Sequence, residues 1–348
     1  MFTDRIEAKW IETFVKAFEL CKVEPGEEIA ILSETQSRQV NVHLAELALI
    51  RMGARPCHVV VPTPPQEAGV PVRSTGASNA VQGHGPTIAA LKACTMVVDL
   101  TVEGMLHAPE LPEIVQSGAR HFMISNEHPE ALERLLPTPD LEEKVKLAVK
   151  HVRGAKEMTV TSAAGSDLTV KMEGAISAGV WGYCDRPKTV AHWPGGIVVA
   201  FPLAGAVNGK LVMDVGDINL TFKRYLETQV VLTIEDDYVT KIDGDGTDAE
   251  LFRRYMESWG DRDAYGTSHV GWGMNEGARY EALTMYDQHD INGTELRAYA
   301  GNFLYSTGAN EFAKRFTLGH FDLPMNHCTV KLDGSAVVED GKLAGDYA

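Results

Sequence analysis

Residues 96–107 read Met96-Val97-Val98-Asp99-Leu100-Thr101-Val102-Glu103-Gly104-Met105-Leu106-His107, a short apolar run that gives way to a loop ending on histidine. A run of this length reads as a strand buried on both faces. Upstream, Ile29-Ala30-Ile31-Leu32 and His58-Val59-Val60-Val61 read as further buried strands, and downstream so does Phe122-Met123-Ile124. Helical patterns separate them. Ile6, Trp10, Phe14, Phe18 and Leu20 define an amphipathic helix. A second helix, capped by Ser37, runs to about Met52 and stops at Gly53. Thr87–Cys94 forms a third, with shorter helices near Glu113-Ile114 and Leu132. Strands alternating with helices imply a parallel sheet covered on both faces, whose ligands gather at the C-terminal strand ends. The segment 101–107 stands at such an end. Residues 62–86 form a long loop rich in Pro, Gly and Ser, of the kind that borders functional sites.

The pattern changes after about residue 155. Met158-Thr159-Val160-Thr161 and Leu168-Thr169-Val170-Lys171 alternate, and Val198–Phe201, Leu211–Met213 and Val230–Ile234 continue the strand signal. One helix, Asp248–Trp259, interrupts them, and a hairpin turns at Asp333-Gly334. The expected fold class is α/β: an N-terminal parallel-sheet domain over 1–154, then a β-rich α+β domain over 155–348 that carries a metal site.

The chain has 348 residues and a formal charge of −16, from 48 acids against 32 bases. Such a surface repels phosphate backbones, which argues against nucleic acid as a partner. The five cysteines (Cys21, Cys57, Cys94, Cys184, Cys328) include no CxxC pair. That favours reduced thiols in a cytoplasm over a disulfide framework or a Cys-rich zinc site. The N-terminal MFTDRIEAKW is charged from residue 4 and reads as no signal peptide, and no apolar run approaches the roughly 20 residues of a membrane span. The expectation is a cytoplasmic protein without a membrane partner.

Among the twelve histidines, His320 stands out because Asp322 follows two places on. In an extended segment these two share a face, while Phe321 and Leu323 take the apolar one and Pro324 ends the strand. Gly319 lets another group approach closely. His-x-Asp with a distant third ligand is the facial triad of non-haem Fe(II) oxygenases, which leaves positions open for substrate and dioxygen. A given His is followed by Asp at this spacing about one time in twenty, so the motif alone does not make a site. His269, in the glycine-rich segment Gly266–Asn275, is the candidate third ligand. His327 would need a sharp chain reversal to join, and His289 reads as a solvated surface residue. His107 could reach the cleft as a base. There is no dinucleotide fingerprint, P-loop, G-x-S-x-G elbow or HExxH helix.

Five segments carry a resemblance over nearly the whole chain: Met105-Leu106-His107-Ala108-Pro109, Trp193-Pro194-Gly195-Gly196, Thr267-Ser268-His269, Tyr305-Ser306-Thr307-Gly308 and Leu318-Gly319-His320-Phe321-Asp322. In these the sequence resembles the 2,5-dihydroxypyridine 5,6-dioxygenases of bacterial nicotinate breakdown. The resemblance implies one Fe(II) held by His269, His320 and Asp322, with His107 as acid/base. It implies substrate contacts at Leu106, Ser306, His192 and Glu173. It further implies ring opening of a hydroxypyridine by dioxygen to N-formylmaleamate, and a homo-oligomer with a hexamer as the candidate size. That family is related in fold to thermophilic-type aminopeptidases, which hold two metals with extra glutamates. A metal-dependent aminopeptidase or amidase is therefore the alternative, set against by Gly195-Gly196 where an acidic ligand would stand. A non-catalytic binding protein, with His320 and Asp322 merely hydrogen-bonded, is the third reading.

Overall fold

A computed structural model describes residues 5–66, 69–71, 73 and 75–348. Residues 1–4 of the N-terminal stretch, and 67, 68, 72 and 74 of the long loop, lie outside the described residues. The chain opens with α1 (Ala8–Leu20), β1 (Glu28–Glu34), α2 (Gln39–Arg51) and β2 (Arg55–Val61). After the loop come α3 (Gly85–Ala93), β3 (Met96–Leu100), α4 (Leu111–Gln116), β4 (Arg120–Ile124), α5 (Pro129–Arg134) and α6 (Pro139–Gly154). Strands β1 to β4 pair in parallel in the order β2-β1-β3-β4. Parallel neighbours need crossovers, and the helices supply them.

Two details differ from the sequence reading. Ser37 does not cap α2. Its hydroxyl donates to the Leu100 carbonyl at 2.6 Å and accepts from the Glu34 N–H at 2.7 Å, so it ties β1 to β3 instead. Arg38 occupies the N-cap position and its side chain makes no capping hydrogen bond, reaching Asp290 instead at 2.5 Å. Strand β2 is an edge strand rather than a buried one, and Val60 is 60% exposed. Its apolar run resembles those of β1 and β3, because periodicity does not report which strand lies at an edge.

Helix α6 was not assigned from the sequence. Thr138 caps it by accepting from the Leu141 N–H at 3.2 Å, Pro139 starts it, and Asp140 and Glu142 stand in its first turn. Val145, Ala148 and Val152 form its buried stripe.

The antiparallel part begins with β5 (Glu157–Ser162), β6 (Asp167–Lys171) and β7 (Ile176–Val180). The next strand, β8 (Val190–Trp193), returns to the parallel sheet and pairs with β4. Its anchor is Trp193, whose fully buried indole stacks on Phe122 with ring centroids 6.5 Å apart and donates to the Leu135 carbonyl at 2.8 Å. Burying a side chain such as Phe122 stabilises the fold by roughly 1.5–3 kcal/mol.

There follow β9 (Ile197–Phe201), β10 (Val207–Met213), the short β11 (Ile218–Asn219) and β12 (Arg224–Tyr225), β13 (Val230–Glu235), β14 (Tyr238–Asp243) and α7 (Thr247–Ser258). Then come β15 (Thr267–Gly273), α8 (Ala282–Met285), α9 (Thr294–Ala298), β16 (Phe303–Thr307), β17 (Phe321–Met325), β18 (Cys328–Leu332), β19 (Ser335–Glu339) and β20 (Lys342–Leu343). Among the described residues these make one large sheet, ordered β14-β13-β10-β6-β5-β18-β19-β20, and a second ordered β17-β16-β15-β9-β7. The main core fills the space between the two, with Trp272, Phe303, Tyr305, Phe321 and Phe252 in it. Pro324 does not end β17. It sits inside that strand opposite Leu304, which is tolerated because β17 is the edge strand of its sheet. Phe321 and Leu323 face the core as the alternation predicts. No described helix is long and apolar enough to cross a membrane.

Candidate metal centre

His107 reaches the site from the parallel sheet. Asp99, at the end of β3, is fully buried and shapes the loop behind it. One carboxylate oxygen accepts from the Thr101 N–H (3.0 Å) and hydroxyl (2.7 Å), and the other from the Met105 N–H (2.8 Å). Gly104 has φ +83°, and a Cβ there would stand 2.3 Å from the Met123 sulfur, so only glycine fits this turn. The loop delivers His107, whose N–H donates to the Gly76 carbonyl at 2.6 Å.

The other side chains come from the sheet of β15 to β17. His269 lies on β15, and Ser306 on β16 pairs in register with Asp322 on β17. His320 immediately precedes β17, and its carbonyl is held by the Tyr255 hydroxyl at 2.8 Å. Gly308, at φ +119°, allows the close pass between the chain after β16 and the chain before β17; a Cβ there would lie 2.2 Å from the Gly319 carbonyl.

The structure brings together His107, His269, His320 and Asp322. One ring nitrogen from each histidine lies within 4.8 Å of those of the other two. Nε2 of His320 is 3.3 Å and Nε2 of His269 is 3.8 Å from the same oxygen, Oδ1 of Asp322. His269, His320 and Asp322 are all buried, and His107 keeps some exposure. Among the described residues, Nδ1 of His269 and Nδ1 of His320 have no hydrogen-bond partner.

Electrostatics favours the ligand forms. Burial, helped by His320 and Arg297, pushes His269 down to about 3 against the pull of Asp322. Burial and the neighbouring His320 and His269 also put His107 well below its ordinary 6.5. Burial would raise the Asp322 carboxyl, but Arg297, His320 and His269 outweigh it and hold the group well below the usual carboxylate range. A neutral His269 beside an ionised Asp322 is the combination of protonation states that a divalent metal requires. The donor set therefore fits a metal ion, with His269, His320 and Asp322 as the residues that could hold it.

Arg297 was not found from the sequence. Its Nε donates to Oδ2 of Asp322, while the Ser306 hydroxyl donates to Oδ1. The carboxylate is thus fixed from both sides, the arrangement that orients a metal ligand from behind. Arg297 sits on α9, whose first N–H groups are capped by Glu127 from the segment after β4. The carboxylate of Glu127 accepts from Asn292 (3.0 Å), Gly293 (2.8 Å) and Thr294 (2.8 Å). This capping connects the parallel sheet to the segment that positions Arg297 against Asp322. Arg297→Ala is expected to lower metal affinity about 10–100-fold, with Glu127→Ala moving it the same way less strongly. Chelator competition on the purified variants measures both.

Of the remaining sequence candidates, Ser306 is buried against Asp322. Leu106 adjoins His107 and approaches Gly76. His192 on β8 is buried, with Nδ1 2.6 Å from the Pro194 carbonyl, and burial lowers it to about 4. Glu173 is exposed in the turn between β6 and β7, and among the described residues no hydrogen bond or ion pair joins it to the cluster. His327 and His289 are exposed. At Gly195 a Cβ would stand 2.3 Å from the Gly182 nitrogen, and at Gly196 one would stand 2.6 Å from the Asn275 Cβ, so neither position accommodates an acidic ligand.

Comparison with known proteins identifies the family and the fold. The sequence profile of the 2,5-dihydroxypyridine 5,6-dioxygenases matches residues 9–345. A 2,5-dihydroxypyridine 5,6-dioxygenase of Pseudomonas putida is 35% identical over 343 residues, covering 97% of this chain and 96% of the relative. The solved structure of a 2,5-dihydroxypyridine dioxygenase from Pseudomonas putida KT2440 superposes with a TM-score of 0.91 at 34% identity, covering 98% of this chain and 99% of that one. Wild-type AmpT from Thermus thermophilus shares the fold, with a TM-score of 0.66 at 15% identity over 97% of this chain and 99% of that one.

Proposed function

The chain belongs to the 2,5-dihydroxypyridine 5,6-dioxygenase family of ring-cleaving dioxygenases, and on that premise we propose that it opens 2,5-dihydroxypyridine with dioxygen to N-formylmaleamate, as a step of nicotinate breakdown in a cytoplasm. The observation that carries the reading is the convergence of His269 and His320 on one oxygen of Asp322, with His107 beside them. These three ligands would hold ferrous iron. When bound, iron would supply positive charge and the one-electron chemistry that dioxygen requires.

The chain's own residues do the rest. Burial first, and then the neighbouring His320 and His269, favour the neutral form of His107. It can accept the proton of the ring's 5-hydroxyl and return it to an oxygen of the product. Leu106, next to it, supplies an apolar surface for the flat ring. Ser306 and Arg297 hold the Asp322 carboxylate in one orientation throughout. His192 closes the side toward the parallel sheet. Both oxygen atoms of dioxygen end in the product, so no further reductant is needed. A homo-oligomer, with a hexamer as the candidate size, completes the proposal.

The test is anaerobic loading of the purified chain with ferrous iron, followed by addition of substrate and then oxygen. One dioxygen should be consumed per ring, with loss of the ring's absorbance. Equal activity with zinc alone would sink the oxygenase reading.

A further inference from the structure

The cavity bounded by His320 and Asp322 has a second wall, built by Arg73, Thr75, Thr221 and Tyr255, that the reaction above leaves unused. Arg73 comes from the long loop between β2 and α3 and is 8% exposed. Its Nε lies 2.7 Å from Oε1 of the buried Glu103, which also accepts from the Thr75 hydroxyl at 3.1 Å. The Trp259 ring covers the guanidinium, 5.3 Å from ring centroid to Cζ. Nη2 is buried and has no hydrogen-bond partner among the described residues.

A guanidinium stays charged at any working pH and presents its donors in a rigid fork. Glu103 balances that charge by an ion pair at Nε, and neither Nε nor Nη2 has a hydrogen-bond partner among the described residues. Nη2 is thus an unpartnered buried donor on a residue that lines the same cavity as His320 and Asp322. A buried donor without an acceptor is costly, so a ligand that brings an oxygen to this edge is selected over one that does not.

We propose that Arg73 is a specificity-determining residue, donating from its free edge to a carbonyl or ionised oxygen carried by the ring at the end away from the metal ligands. This rests on the ring-cleavage reading of the same cavity. For 2,5-dihydroxypyridine the oxygen in question is the one on carbon 2, para to the 5-oxygen. Recognition of both poles fixes the ring in a single orientation, which places the bond between carbons 5 and 6 for cleavage. Thr75 holds Glu103, and Glu103 holds Arg73, so the donor is set before the ring arrives.

The experiment compares two rings, 2,5-dihydroxypyridine and 3-hydroxypyridine, which keeps the metal-side oxygen and lacks the other. Each is titrated anaerobically into the ferrous full-length chain, as wild type, Arg73→Met and Arg73→Lys, with iron content and thermal midpoint measured alongside. The expected result is that Arg73→Met lowers the preference for 2,5-dihydroxypyridine about 10–100-fold, with iron content unchanged. Arg73→Lys, which keeps the charge but not the fork, should fall between. A merely structural role would weaken both rings together, and an unchanged preference in the folded variants overturns the assignment alone. Should Arg73→Met fail to fold, the preference measured in Arg73→Lys decides in the same way. A wild-type chain that binds neither ring overturns the ring-cleavage reading and this assignment with it.

Discussion

Asp322→Ala is expected to leave the purified chain without bound iron and to lower kcat/KM by about a thousandfold or more. Asp322 is the carboxylate on which the imidazoles of His320 and His269 converge, at 3.3 and 3.8 Å. Without it the centre has two imidazoles and no anion to offset a divalent charge in a buried position. The substitution also takes from Arg297 its charged partner Asp322, while its position on α9 is still held by the Glu127 cap. Breaking a buried pair in this way costs about 3–5 kcal/mol, so the alanine variant should also melt at lower temperature. Asp322→Asn separates the two effects. It keeps the shape and an oxygen for the Ser306 hydroxyl but removes the charge. Its fold should survive better than that of the alanine variant while iron is still lost, as read by metal analysis after anaerobic loading and by thermal unfolding followed by circular dichroism. Asparagine protein that holds iron as the wild type does would remove Asp322 from the ligand set.

The proximity of His320 and Asp322 was legible in the sequence because it obeys the strongest local rule available, the two-residue period of an extended chain. His320 and Asp322 share a face, and Phe321 and Leu323 enter the core. His269 was harder to find, since its register beside β16 and β17 follows from sheet pairing that no local pattern encodes. Arg297 was missed for the same reason in a stronger form. It lies on a helix of five residues, too short for a periodic signal, and its role depends on a contact with Asp322 across 25 positions and on a cap supplied from residue 127. The sheet strands up to β4 could be read because each is a compact apolar run between turn residues. The return of β8 to the parallel sheet could not, since Val190–Trp193 is short and its neighbour is chosen by the packing of Trp193 on Phe122. Ser37 shows the limit of capping rules. A serine before a helix is a good cap candidate, but here its hydroxyl is already committed to Leu100 and Glu34.

His107→Ala should keep its iron and lose its turnover. The prediction is sharp because the geometry admits a competing role. The three imidazoles lie so close that His107 could serve as a ligand rather than a base. Two observations favour the base. His107 arrives on a different sheet from the three other groups, held by the Asp99-shaped loop and by Gly76. The close ion-pair geometry around Asp322 involves His269 and His320. His269, His320 and Asp322 are also enough for the facial arrangement that leaves open positions for ring and dioxygen, and a fourth protein ligand would take one of them. Loss of a positioned base costs about 10²–10⁴-fold in rate, so kcat should fall by that factor with iron stoichiometry unchanged. An added small imidazole should restore part of the rate, because the cavity left by the missing ring is partly open to solvent. If His107→Ala instead emerges without iron, His107 is a ligand, and the proton acceptor must be sought among the other groups around the cavity, with His192 first, since burial also keeps it neutral.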